Sequence, residues 1–125
     1  MNAKREELGF EQARRRQETV VVVERLQRLV GEYVRPAPSM GLSLEGGQVA
    51  SVIRQLAERT ARGEGVPEFA PTPEGYFLQG LYEELAQESM AIFERVPSGE
   101  GAGEFRPISA ASWQLVLDEL AARVR

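Results

Sequence analysis

Apolar residues recur along this chain at helical spacing in four stretches. In the last of them, Trp113, Val116, Leu117, Leu120, Ala121 and Val124 follow the i, i+3, i+4, i+7 rule. That pattern predicts a helix over 109–124, with Ser109 as N-cap and Arg123 and Arg125 at the end where the helix dipole favours cations. A third stretch, 73–96, carries Leu78, Leu81, Tyr82, Leu85, Ser89, Ile92 and Val96 on one face. Thr72 followed by Pro73 is its start signal, and Pro97 is its stop. The second stretch, 47–62, uses Val49, Val52, Ile53, Leu56 and Thr60, and halts before Gly63.

The first stretch, 3–34, contains Val20, Val21, Val22 and Val23 in a row. β-Branched residues favour strands, and four in sequence raise that alternative. A strand needs a partner, however, and no other segment alternates as a strand would. Thr19, Val22, Val23, Leu26, Leu29, Val30 and Tyr33 repeat instead with helical period, among Glu, Arg and Gln, which form helices well. Valine in a helix costs only about half a kcal/mol, which packing readily overrides. The prediction is therefore one long helix. On its wheel Val22 and Val23 share the main apolar face, while Val20 and Val21 point to the far side with Phe10 and Ala13. A helix apolar on two faces, longer than its companions, is expected to meet a partner there. Phe10, Ala13, Val20 and Val21 are the expected contact residues. The competing expectation is that Phe69 and Phe105, from Pro- and Gly-rich loops, cover those valines within the chain.

Three loop-rich segments separate the helices: 35–47, 63–75 and 97–105. The expected architecture is all-α, a four-helix bundle-like single domain with a long N-terminal helix and long Gly/Pro-rich loops. Its 125 residues and 42% apolar content suit one ordinary globular core.

Composition then narrows the chemistry. The chain has no cysteine and no histidine. This removes thiolate nucleophiles, disulfides, the commonest general base and the usual transition-metal ligands. The net charge of −4 gives no bulk attraction to nucleic acid. Lys4 is the sole lysine among fifteen Lys and Arg residues, as expected of a GC-rich, bacterial coding sequence. No apolar run reaches the length of a membrane span, and the first sixteen residues lack the apolar centre of a secretory leader, so a cytoplasmic location is expected.

Two charged constellations remain. Glu84 and Glu88 lie four apart and could present a pair of carboxylates to Mg²⁺ for hydrolysis, but the wheel turns Glu84 to solvent and leaves Glu88 at the core boundary. No metal or other cofactor is expected. Arg14, Arg25, Arg28 and Arg35 lie on the side of the first helix away from the core, an arrangement that could contact phosphates. Glu18, Glu24 and Glu32 interleave with them, and alternating signs cancel at a distance. The Gly-rich SLEGGQ and SGEGAGEF segments lack the lysine of a phosphate-binding loop. The leading expectation is a non-catalytic interaction or assembly protein acting through its first helix, most simply by self-association. A nucleic-acid-associated regulator using the arginines is the alternative, and a Mg²⁺-dependent hydrolase ranks below both.

Overall fold

The computed structural model describes the backbone of residues 3–96 and 99–124, with side chains from Arg16 onward. Four helices and one small antiparallel hairpin make up its regular structure: α1 (Ala3–Val34), α2 (Gly46–Arg62), α3 (Pro73–Glu88), β1 (Phe93–Arg95), β2 (Phe105–Pro107) and α4 (Ala110–Arg123). Single 3₁₀ turns occupy Pro38–Met40 after α1 and Ser89–Ala91 after α3.

Local chemistry explains where the helices begin and stop. The Thr72 hydroxyl accepts the Gly75 N–H at 3.0 Å, and Pro73 takes the first helical position, where its missing donor costs nothing. The Ser109 hydroxyl does the same for Ser112 N–H at 3.2 Å. At the start of α2 the Gln48 side chain accepts the Glu45 N–H at 2.7 Å, one half of a capping box. Gly63 ends α2 with φ of 68°, a left-handed conformation that only glycine adopts without penalty.

The core is one continuous apolar cluster. Val23, Leu26 and Val30 come from α1, and Val52, Ile53 and Leu56 from α2. Leu78, Leu81 and Leu85 enter from α3, and Trp113, Leu117 and Leu120 from α4. The α2–α4 pair is the most extensive helix contact; α1 packs chiefly on α4, and α3 chiefly on α2. Among the described residues no charged side chain is buried, and the core is apolar apart from aromatic groups such as the Tyr82 phenol, so hydrophobic burial is the main source of stabilisation. No described helix is long and apolar enough to cross a membrane.

The expected third helix is corrected at its C-terminal end. It stops at Glu88, not at residue 96, and Ile92 is already extended, with φ −107° and ψ 128°. The segment 93–95 pairs with 105–107, so the chain is mostly helical with a strand pair that the apolar pattern did not predict. The physical reason is local. Ile92, Phe93 and Val96 prefer extended backbone, and Pro97 forces the residue before it away from helix. Gly99, Gly101 and Gly103 all take positive φ, which lets the chain reverse and return as β2. The expected loop 97–105 is thus mostly the turn of this hairpin. Val96 donates to the Glu104 carbonyl at 2.7 Å and accepts from Gly103 N–H at 3.0 Å, closing the turn.

Candidate functional site

Four valines in one helical turn face both worlds. Val23 is fully buried in the core, and Val22 packs against it. Val21 is 61% exposed, and Val20 is half-covered. Phe69, one of the two loop aromatics that could have covered them, lies edge-on to Tyr82 with ring centroids 5.9 Å apart, at the core margin. Phe105, the other, stands on β2 and is 65% exposed. Val21 therefore stays largely open to solvent. Of the remaining expected contact residues, Phe10 and Ala13 lie outside the residues whose side chains are described, and so does Arg14.

The geometry of α1 relative to its neighbours sharpens this. Val22 is the first described side chain of α1 to join the core, and Arg16, Gln17 and Glu18 before it are exposed. From Val22 to Val34 the helix spans about 20 Å, close to the length of the fourteen-residue α4 on which it packs, about 21 Å. N-terminal of Val22 the helix continues for about 28 Å more.

The two charged constellations meet each other. Arg25 Nη2 donates to Glu88 Oε2 at 3.3 Å, tying α1 to the end of α3. One expected phosphate contact and one expected metal ligand are therefore an ion pair, with the Arg25 side chain at the surface. Arg28 and Arg35 are exposed. Glu84 is exposed as well and sits near Tyr33, whose phenol is held above its usual pKa first by burial and then by the charges of Glu84 and Glu83. Among the described residues no group of three or more acidic side chains is placed to hold a metal ion.

A shallow polar cleft of 460 Å³ opens at the C-terminal end of α2, lined by Gln55, Glu58, Arg59, Arg62, Glu64, Pro67 and Glu68. Its two arginines are already engaged. Arg59 reaches Glu64 at 3.4 Å and the Gly65 carbonyl at 2.9 Å, while Arg62 bridges Glu58 at 3.3 Å and Glu64 at 3.4 Å. The cleft therefore presents no uncommitted cation to an anionic ligand.

The hairpin is the feature that helical periodicity missed. Its two faces differ sharply. Glu94 and Arg106, directly opposite each other, turn toward the start of α4: Arg106 Nε donates to Glu94 Oε1 at 3.1 Å, and Ser109 N–H donates to the same oxygen at 2.9 Å. The opposite face carries Phe93, Arg95, Phe105 and Pro107, with the Arg95 guanidinium 5.2 Å from the Phe105 ring centroid. Phe93 is 56% exposed. A sequence signal did exist for this: Pro97 followed by three alternating glycines and then Phe105, a turn flanked by aromatic residues.

Comparison with protein families, with curated proteins and with solved structures finds no match to this chain.

Proposed function

We propose that this chain is a non-catalytic helical assembly protein that works through α1, most simply by pairing with a second copy of itself. The observation that carries the reading is the length mismatch on α1. The stretch from Val22 to Val34 already matches its neighbour α4 in length, and the helix continues N-terminally for about 28 Å more, with Val21 largely open to solvent. A bundle-like arrangement of α1 to α4 accounts for the core, with Val22 the first described side chain of α1 to join it. Two copies set antiparallel would lay extension against extension, a self-complementary contact of the kind that closes as a dimer. Composition supports a role without catalysis, since neither histidine nor cysteine is present.

The test is molar mass in solution, by light scattering with size separation. The wild-type chain is expected above its monomer mass of 13.9 kDa. In dilute solution the double variant Val20→Glu, Val21→Glu is expected to remain folded, with unchanged helix content, and to fall to the monomer. A wild-type chain that is monomeric at every concentration overturns the reading. So does a double variant that unfolds, because Val20 and Val21 would then be part of the chain's own core.

A further inference from the structure

The geometry points to a second contact between copies, separate from α1: the outer edge of β1 pairs antiparallel with β1 of another molecule, making a four-stranded sheet from two hairpins. The argument starts from the parity of the ladder. Ile108 N–H donates to the Ile92 carbonyl at 3.0 Å, and Val96 N–H to the Glu104 carbonyl at 2.7 Å. Hydrogen-bonded pairs alternate along an antiparallel ladder, so Glu94 and Arg106 form the bonded pair between them. The backbone groups of Phe93 and Arg95 therefore point away from β2. Among the described residues β2 is the element against which β1 packs extensively, and Phe93 and Arg95 are both exposed, so these donors and acceptors lie on an open edge of the hairpin.

The two edges of the hairpin are not equivalent. On β2 the residues whose backbone faces outward are Phe105 and Pro107, and a proline has no N–H to offer. The β1 edge has no such block. A charged side chain on an edge commonly discourages pairing, but Arg95 is laid over the Phe105 ring of its own hairpin.

The occupant follows from the self-complementarity of the strand. A two-fold axis through Glu94 sets Phe93 of one copy opposite Arg95 of the other, and the reverse. Those are the residues with free backbone groups, so each pair exchanges both of its N–H···O=C bonds. Phe93 and Arg95 also share the exposed face. In the paired sheet each guanidinium lies between two rings, Phe105 of its own hairpin and Phe93 of the second copy, an arrangement favoured by cation–π attraction. The like charges brought together on the axis are the two Glu94 carboxylates. Each already has Arg106 at 3.1 Å on its far side, so the row across the sheet reads cation, anion, anion, cation. An extended peptide from an unrelated protein could use the same backbone edge, but nothing would then supply the Phe–Arg match in both directions.

The experiment is amide hydrogen exchange, followed residue by residue in the full chain over a concentration series. The Phe93 and Arg95 amides are expected to exchange freely when dilute and at least about tenfold more slowly when concentrated. Phe93→Pro is expected to abolish the concentration dependence at Arg95 while leaving the hairpin intact. It removes an outward donor and a ring but no ladder bond, and the φ and ψ of Ile92 already suit a residue before proline. The same protection is expected in the Val20→Glu, Val21→Glu background, which separates this contact from the one proposed for α1. Free exchange of both amides at every concentration overturns the inference. Protection that does not vary with concentration overturns it too, because a segment of the same chain would then cover the edge. Protection that disappears along with the α1 contact overturns it as a contact of its own.

Discussion

Val21 and Val23 stand two residues apart on one helix and differ as far as two identical side chains can: 61% of the first is open to solvent, and none of the second. The difference follows from about 200° of rotation between them, which carries one onto the core and the other off it. The energetic consequence is asymmetric. Val21→Ala should change the stability of the monomer by less than about 0.5 kcal/mol, as surface substitutions do. Leu26→Ala, one helical turn beyond Val23 on the buried face, should cost about 2–5 kcal/mol through lost burial and an unfilled cavity. Urea denaturation of dilute protein measures both.

Tyr33 on α1 donates its hydroxyl to the Phe77 carbonyl at 2.9 Å, and the Tyr33 and Phe77 rings lie 4.7 Å apart. Gly80, one turn further along α3, is where that hydroxyl sits; a Cβ there would collide with it. Gly80→Ala should therefore destabilise the fold in the wild-type background. In Tyr33→Phe, which lacks the oxygen and costs about 0.5–1.5 kcal/mol for the lost bond, the same glycine change should cost less. A double-mutant cycle would show this as coupling between positions 33 and 80. Strict additivity would contradict the contact.

Gly75 has a harder neighbour. It sits in the first turn of α3, buried, and a side chain there would run into the backbone carbonyl of Ala70. Backbone gives way less readily than the end of a tyrosine, and Thr72 N–H is already bonded to that carbonyl at 2.8 Å. Gly75→Ala should cost about 1–3 kcal/mol and loosen the Thr72 cap. A thermal melt unchanged from wild type would rule the packing out.

Glu94 links the hairpin to α4 and should give stability a pH dependence in acid. Burial pushes its carboxyl up, but hydrogen bonds from Ser112, from the Ser109 N–H and hydroxyl, and from Arg106 outweigh this and hold it below the ordinary value of 4.5. A carboxyl with a depressed folded pKa stabilises the fold fully above its unfolded value and loses that contribution as pH falls through the folded value. Wild type should therefore be more stable than Glu94→Gln above pH 4.5, and the gap should narrow steadily below it. Chemical denaturation at a series of acid pH values reads the gap directly; one that widened in acid would reverse the sign of the argument.

Much of the helical frame is legible in the sequence, because the starts of α3 and α4 and the end of α2 carry capping residues that agree with the apolar period. Thr72 and Ser109 cap as their side chains predict, and Gly63 terminates as glycine does. The error at the end of α3 has a specific origin. Ile92 lies seven residues after Leu85, a helical interval, and it is buried in the extended conformation just as it would have been in a helix. Burial at that one position could not distinguish the two, and Val96, the next in the series, lies at the mouth of the turn. The hairpin depends on residues ten or more apart finding each other, which a local period cannot report. The candidate site was half legible. The wheel separated Val21 from Val23 correctly, since that needs only the helical angle. It could not show that Arg25 and Glu88, 63 residues apart, answer each other's charge.

Pro107 carries a consequence beyond its own strand. A ribbon whose two margins were both receptive could add molecules indefinitely, each arrival offering a fresh margin to the next, which is the growth law of a fibril. Here one margin lacks a donor where a newcomer would need it. Pairing through the other margin, as proposed above, would consume it on both molecules at once, so growth along the sheet itself would halt at a pair.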